Sequence, residues 1–229
     1  MKTCPDITAL PILYSLRNCP YAMRARMAIY YSQQPVILRD VVLSNKPEAM
    51  LVSSPKGTVP VLVLSEKNVI EESLEVMLWA LGNNDPDDFL HSNNHEALAQ
   101  MLTLITRFDN DFKVSLEAYK CAKRYHEADL IQRRQTCELY IQDLEQRLTD
   151  QNFLMSSKSS LVDIALLPFI RQFARVERQW YLQSPYPHLR KWLNNYLQSR
   201  MFSKVMAKSP LWSPENEAII FGPSICGKV

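Results

Sequence analysis

The chain has 229 residues, of which 47% are hydrophobic and 22% are charged, as in ordinary globular proteins. Its 26 basic and 24 acidic residues leave a formal charge of +2, which gives no reason to expect nucleic-acid binding. The longest apolar runs, residues 59–64 and 164–170, are far shorter than the roughly 20 residues that span a bilayer. The N-terminus lacks an apolar signal core, so we expect no membrane segment and a cytoplasmic location.

Up to residue 82 the sequence alternates short apolar runs with segments of helical spacing. Residues 10–15 and 35–43 are too short for helices, whereas residues 21–33 carry apolar side chains at helical spacing. A helix between two strands requires those strands to be parallel. Further along we expect a short helix, a turn, a two-stranded hairpin and a second helix, at residues 46–53, 54–57, 59–64 with 68–70, and 71–81. The pattern predicts a small α/β domain over residues 1–82.

Residues 82–88 contain glycine, asparagine, proline and aspartate, so we predict a linker over residues 83–91. Beyond it, apolar residues recur three and four positions apart, and no run alternates like a strand. The predicted helical segments are residues 95–123, 127–148, 161–180 and 187–206. Ser160 and Asp163 have the spacing of a capping box at the start of the third segment. We therefore predict an all-helical domain over residues 92–229 that ends in an aperiodic tail after Ser209.

Cys19 lies between the first strand and the first helix, immediately before Pro20. Proline is favoured in the first helical turn, so we expect this thiol at the N-terminus of the helix. The amide N–H groups of a helix N-terminus and the helix dipole stabilise a thiolate, and Arg24 adds positive charge. The alternative interpretation is a small buried residue with an inert thiol. The position favours Cys19 as the catalytic residue.

A second cysteine of a dithiol motif is absent, because the residue three positions after Cys19 is Ala22. Chemistry at Cys19 would therefore need an external thiol to resolve a mixed disulfide. The total of five cysteines is odd, which argues against a disulfide framework. We expect no function for the other four thiols, at Cys4, Cys121, Cys137 and Cys226. The four histidines share no ligand spacing with a cysteine pair, so we predict no metal site.

Four segments together resemble the glutathione transferase superfamily, and specifically its cysteine-type members close to the omega class. They are residues 18–26 (NCPYAMRAR), 45–48 (NKPE) leading to 54–62 (SPKGTVPVL), 69–73 (VIEES) and 160–169 (SLVDIALLPF). The resemblance implies a thioredoxin-like domain followed by an all-helical domain, which agrees with the division read from the periodicity. It also implies glutathione as a co-substrate and, commonly, a homodimer.

The resemblance assigns a glutathione site to particular residues. Pro60 would follow a cis peptide bond, and the backbone of Val59 would hold the cysteinyl part of glutathione like an added strand. Ser73 and the N–H groups of its helix would bind the γ-glutamyl carboxylate, while Glu72 would bind the ammonium group. Lys46 matches the position at which omega-like members place a cation near the glycyl carboxylate.

Arg24 matches an arginine beside the active cysteine of omega-like members. Members that conjugate electrophiles use a tyrosine or serine hydroxyl instead, so Tyr14 and Ser15 are candidates if Cys19 proves inert. Our hypothesis is a glutathione-dependent thiol transferase or reductase that acts on a small electrophilic or disulfide acceptor. Dehydroascorbate reduction is an activity that the omega resemblance implies. The alternative is a non-catalytic binding protein of the same fold, as in the stringent-starvation-protein branch.

Overall fold

The structure is a computed structural model that describes residues 9–222. It divides into two compact units. The first contains the described residues up to Asp87 together with those from Arg200 onward, and the second contains Asp88–Ser199. This division differs from the predicted helical domain over residues 92–229, because the segment from Arg200 belongs with the first unit. No helix within residues 9–222 has the length and apolar composition needed to cross a membrane.

The helices and strands follow the predicted order with small changes at their ends. Strands and helices up to the linker are β1 (Ile12–Ser15), α1 (Pro20–Tyr31), β2 (Val36–Asp40), α2 (Glu48–Ser53), β3 (Val61–Ser65), β4 (Asn68–Ile70) and α3 (Ser73–Asn83). Beyond it lie α4 (Ala97–Arg107), α5 (Lys113–Tyr125), α6 (Leu130–Asp150), α7 (Leu161–Val176), α8 (Arg178–Gln183), α9 (Pro187–Leu197), α10 (Arg200–Val205) and β5 (Ile219–Phe221).

The first unit is built on a five-stranded sheet with the strand order β4-β3-β1-β2-β5. β1 runs parallel to β2, as the intervening helix predicts, with Ile12 opposite Ile37. β3 is antiparallel to β1, and β4 returns along β3 as the predicted hairpin. The two central strands place Leu13 and Leu38 in the core of this unit.

Helix α1 is unusually deeply buried for a helix that carries charged residues. Every residue from Ala22 to Ile29 is buried, including Arg24 and Arg26. The helix packs against α3 and α10. A buried guanidinium is costly unless it is paired and hydrogen-bonded, so the partners of these two arginines are central to the fold.

Arg26 joins four elements of the first unit. Its Nη2 lies 2.9 Å from Oδ1 of Asp40 on β2, and its Nε donates to the Ser15 hydroxyl on β1 at 2.8 Å. Its Nη1 donates to the Val205 carbonyl on α10 at 3.3 Å. Burial lowers the pKa of the Arg26 guanidinium, and the charge of Asp40 opposes that shift. With side chains exposed by only 1% and 9%, the two residues form a buried ion pair.

The C-terminal segment that we predicted as a tail supplies an edge strand. β5 pairs antiparallel with β2, with Phe221 opposite Val36 and Ile219 opposite Leu38. Before β5, the Trp212 amide donates to the Asp40 carbonyl at 2.8 Å. The predicted all-helical domain over residues 92–229 therefore ends in a short strand that the sequence pattern did not predict. Three residues are too few to show a period of two, and the unpaired edge of β2 determines the extended conformation.

Trp212 also packs against Arg39 of β2 and Tyr14 of β1. The Arg39 guanidinium lies 4.3 Å from the centre of a Trp212 ring and 5.3 Å from that of Tyr14. The Nη1 atom of Arg39 donates to the Tyr14 hydroxyl at 2.5 Å. Tyr14 is only 1% exposed, so its hydroxyl has a fixed partner inside the unit.

The second unit is helical, as predicted, but three of the four predicted helical segments are interrupted, the last of them between α9 and α10. A π-helical turn, Phe108–Phe112, separates α4 from α5, and both of its phenylalanines are buried with ring centres 5.0 Å apart. A π-turn inserts an extra residue into the helical repeat, which apolar spacing alone does not reveal. The second interruption is at Glu177, which ends α7 and accepts hydrogen bonds from Tyr119 and Arg134, each at 2.8 Å.

The capping box predicted at Ser160 and Asp163 is confirmed. The Asp163 carboxylate accepts the Ser160 amide at 2.9 Å and the Ser160 hydroxyl at 2.8 Å. It also accepts the amide of Leu154 at 3.0 Å and the indole N–H of Trp192 at 2.8 Å. One buried carboxylate thus caps α7 and fixes the loop before it and helix α9.

The buried ion pair gives a test of the first unit. In Asp40→Asn the Arg26 guanidinium stays charged and buried without its counter-ion, so we expect the free energy of unfolding to fall by about 3–5 kcal/mol. Glu117→Gln removes one partner of an exposed ion pair with Lys120 and should cost less than about 1 kcal/mol. Urea unfolding followed by circular dichroism measures both. Equal losses in the two variants would contradict a special role for the buried pair.

The capping box gives a test of the second unit. Asp163→Ala leaves four buried donors without their acceptor, so we expect a loss of about 3 kcal/mol or more in the free energy of unfolding. Asp150→Ala, at the exposed C-terminal end of α6, should change it by less than about 0.5 kcal/mol. Thermal and urea unfolding measure the stability of both variants relative to the unsubstituted chain. Equal losses in Asp163→Ala and Asp150→Ala would refute this role of Asp163.

Candidate active site

Cys19 is the N-cap residue of α1, as predicted. Its backbone is extended, with φ −74° and ψ 125°, and Pro20 occupies the first helical position. No side chain caps this helix end, and its first turn contains no acidic residue. The positive end of a 12-residue helix is therefore directed at the thiol without a competing carboxylate.

The Cys19 sulfur lies beside the backbone of Val59. Its Sγ is 3.8 Å from the Val59 carbonyl oxygen, and the residue is only partly buried. On its buried side it packs against an apolar cluster that includes Ala22 and Met50. The peptide bond between Val59 and Pro60 is cis, as the resemblance implied. The structure thus brings together the predicted nucleophile and the predicted peptide-binding backbone.

The N-terminus of α3 forms a second uncapped helix end. Glu72 is its N-cap residue, but the Glu72 side chain makes no capping hydrogen bond. Ser73 follows as the first helical residue and is 2% exposed. Its Oγ accepts a hydrogen bond from Nε of Arg24 at 2.9 Å. Backbone N–H groups and a hydroxyl at a helix N-terminus are a suitable arrangement for binding a carboxylate.

The turn at residues 54–57 connects to this helix end through two contacts that sequence reasoning missed. Lys56 forms an exposed ion pair with Glu72, and the hydrogen bond and charge of Glu72 raise the pKa of the Lys56 ammonium. The buried Ser54 donates its hydroxyl to Glu71. The signal was present in the sequence, as a serine and a lysine in one turn and two glutamates before a predicted helix. Which serine or lysine pairs with which glutamate is evident only from the fold, which places the turn beside the start of α3.

Lys46 lies beside the turn that precedes Val59. It is exposed, and no ion pair in the described part of the chain involves it. Its side chain runs over Gly57, where an added Cβ would lie 2.9 Å from the Lys46 ammonium nitrogen. Gly57 also has a φ of +61°, which favours glycine. The turn that precedes Val59 therefore leaves room for this lysine and keeps its charge available.

The two alternative hydroxyls are buried and already hydrogen-bonded. Tyr14 accepts from Arg39, and Ser15, which is fully buried, accepts from Arg26. An oxygen that activates a ligand sulfur must be accessible to that ligand, whereas these two hydroxyls bind arginines inside the unit. Both hydroxyls are thus more deeply buried than Cys19, which is partly exposed.

The remaining thiols lack a comparable setting. Burial raises the pKa of the Cys137 thiol to about 12, so it carries no thiolate at neutral pH. Cys121 is exposed in the interior of α5, away from a helix N-terminus. The predictions for Cys4 and Cys226 lie outside the described residues. Within residues 9–222, no cluster of histidine, cysteine and acidic side chains has the geometry of a metal site.

Comparison with known proteins gives the same family for both units. Models of the glutathione S-transferase N-terminal and C-terminal domains match residues 13–87 and 131–195. The chain is 28% identical to pyrimidodiazepine synthase of Drosophila melanogaster over 82% of this chain and 78% of that protein. It is 24% identical to glutathione S-transferase omega-1 of Sus scrofa over 79% of this chain and 74% of that protein.

A solved structure agrees with the fold. Glutathione S-transferase-I, bound with lactoylglutathione, matches with a TM-score of 0.72 and 19% identity, over 86% of this chain and 99% of that one. The likeness confirms the predicted architecture, a thioredoxin-like domain combined with a helical domain. With both domain models and omega-class relatives in agreement, the chain belongs to the glutathione transferase superfamily and is related to its omega-like, cysteine-type members.

Proposed function

We propose that this protein is a glutathione-dependent thiol transferase or reductase in which Cys19 is the nucleophile. The observation that carries the proposal is the setting of Cys19, at an uncapped helix N-terminus and 3.8 Å from the Val59 carbonyl oxygen. Ala22 occupies the position of a resolving cysteine, so a second thiol must come from solution. The omega-class relatives support glutathione as the source of that thiol.

The charges of the first unit suit a glutathione molecule at this site. Glutathione carries two carboxylates, one ammonium group, one thiol and two amide groups. Ser73 and the N-terminal amides of α3 would bind the γ-glutamyl carboxylate, and Glu72 would bind the ammonium. Lys46 would pair with the glycyl carboxylate, and the Val59 backbone would hydrogen-bond to the cysteinyl unit. The Lys56–Glu72 pair is exposed, so a ligand ammonium can replace Lys56 at little cost.

The reaction consists of two thiol–disulfide exchanges. In the first, the Cys19 thiolate attacks the glutathionyl sulfur of a mixed disulfide, and the acceptor leaves as a thiolate that takes up a proton. In the second, a glutathione thiolate attacks the Cys19–glutathione disulfide, which releases oxidised glutathione and restores the Cys19 thiolate. The net reaction converts the mixed disulfide and one reduced glutathione into the acceptor thiol and one oxidised glutathione. Reduction of dehydroascorbate instead takes two electrons from two glutathione molecules, which leave as one oxidised glutathione, and it is the second activity included in the proposal.

Two further expectations accompany the proposal. The exchange chemistry requires a reduced glutathione pool, which agrees with the cytoplasmic location expected from the sequence. Because family members are commonly homodimers, we also expect a homodimer, and light scattering after size-exclusion chromatography would measure the mass directly.

The nucleophile is tested by mass spectrometry of the intact protein. After incubation with oxidised glutathione, we expect one added glutathionyl group at Cys19 and its loss in Cys19→Ala. Cys121→Ala provides the matched control, because it removes an exposed thiol from a helix interior and should leave the adduct in place. Turnover of a glutathionyl mixed disulfide should fall to background in Cys19→Ala only. An adduct confined to another cysteine would contradict the mechanism.

The same thiol distinguishes the enzyme from a non-catalytic binding protein. Cys19 is partly exposed at a helix N-terminus, whereas Cys121 lies in a helix interior, so we expect iodoacetamide to alkylate Cys19 faster than Cys121. Peptide mapping after short exposures gives both rates from one sample. Equal rates for Cys19 and Cys121, combined with no turnover of disulfides or dehydroascorbate, would favour the binding role.

A further inference from the structure

We infer that Arg24 is a positioning residue for glutathione recognition, and that it acts by fixing the Ser73 hydroxyl as a proton donor to the γ-glutamyl carboxylate. The inference deepens the proposed function and rests on it. Both residues are almost completely buried, with 3% and 2% of their surface exposed. The Nε atom of Arg24 lies 2.9 Å from Oγ of Ser73. Sequence reasoning instead expected Arg24 to contribute charge at Cys19.

The direction of this hydrogen bond determines whether the Ser73 hydroxyl can donate its proton to a ligand. A guanidinium N–H can only donate, so Ser73 Oγ is the acceptor. A serine hydroxyl has a single proton, and that proton must then point away from Arg24. No other hydrogen bond of the Ser73 hydroxyl occurs among residues 9–222. The proton is therefore available to a ligand, and the positive charge on the oxygen's other side strengthens it as a donor.

The ligand that fits this donor is an anion. Ser73 is the first residue of the 11-residue helix α3, whose N-terminal amides receive no side-chain cap. A carboxylate can accept the hydroxyl proton and helix amides together, and it also interacts favourably with the helix dipole. In glutathione, the γ-glutamyl carboxylate stands next to the ammonium that Glu72 would bind. The neighbouring Glu72 thus selects an amino acid's carboxylate over a simple anion.

Arginine suits this position better than lysine. The guanidinium is planar and holds its donors in a fixed geometry, whereas an ammonium is a point charge on a flexible stem. The Arg24 guanidinium also lies 5.2 Å from the centre of the Tyr21 ring, a distance at which the ring face stabilises a cation. The contacts to Tyr21 and Ser73 therefore orient Arg24 before a ligand arrives.

The bond joins the two halves of the proposed site. Arg24 lies on α1, which begins after Cys19, and Ser73 begins α3. The carboxylate anchor of glutathione and the nucleophile that its sulfur must reach would therefore be held by two packed helices that this buried hydrogen bond also joins. A change at this contact would alter how glutathione is held without removing the thiol.

The test is calorimetry of reduced glutathione binding to the full chain under reducing conditions. We expect Ser73→Ala to weaken binding about tenfold or more, since a charge-assisted hydrogen bond is lost. Arg24→Met should weaken binding about three- to tenfold, and the double variant should bind no more weakly than Ser73→Ala alone. Arg24→Lys keeps the charge and should recover part of the affinity. Arg133→Met, on the surface of α6, is the control for loss of an arginine and should bind as the unsubstituted chain does.

A second ligand shows whether Arg24→Met affects recognition of the γ-glutamyl carboxylate or disturbs the whole binding site. γ-Aminobutyryl-cysteinyl-glycine is glutathione without the γ-glutamyl carboxylate. The unsubstituted chain should bind it more weakly than glutathione, and Arg24→Met should lose that preference. Equal weakening of both ligands, unchanged glutathione binding in Arg24→Met, or additive effects in the double variant would overturn the inference. Failure of the unsubstituted chain to bind glutathione would instead overturn the proposed function, and the inference with it.

Discussion

The first unit depends on how its most buried helix accommodates charge. Arg26 would be strongly destabilising in the core on its own, yet it is neutralised by Asp40 and hydrogen-bonded to β1 and α10. Asp40 in turn accepts the Trp212 amide through its backbone carbonyl. Elements far apart in sequence are thus tied to one guanidinium. This pairing fixes the orientation of α1, and the orientation of α1 fixes the position of Cys19 at its end.

The two buried arginines of α1 form hydrogen bonds to different elements of the first unit. Arg26 connects the helix to the sheet and to the C-terminal segment, whereas Arg24 connects it to the start of α3. Both leave the helix N-terminus itself without a competing group, so its dipole remains directed at the Cys19 thiol. The proposed site is therefore supported from the interior, and the groups proposed to face glutathione are backbone, the Ser73 hydroxyl and exposed charges.

The sequence predicted the parts of this site that depend on neighbours along the chain. Pro20 marks a helix start, so the position of Cys19 followed from local preferences, and Ser160 with Asp163 revealed a cap in the same way. Contacts between distant residues were not predictable. The bond from Arg24 to Ser73 spans 49 positions, and nothing in either local pattern identifies the other partner. The π-turn at Phe108–Phe112 was missed because its apolar residues keep ordinary helical spacing.

The short strand β5 affects how readily the chain aggregates in solution. Without it, β2 would present a row of unpaired amide and carbonyl groups along the edge of a largely apolar sheet, the kind of edge that recruits strands from other molecules. The opposite edge, β4, is only three residues long and offers little template. By pairing β2 with Ile219–Phe221, the chain leaves only a three-residue strand at this edge of its sheet. Proteolytic loss of this segment would leave a surface prone to intermolecular strand addition and aggregation.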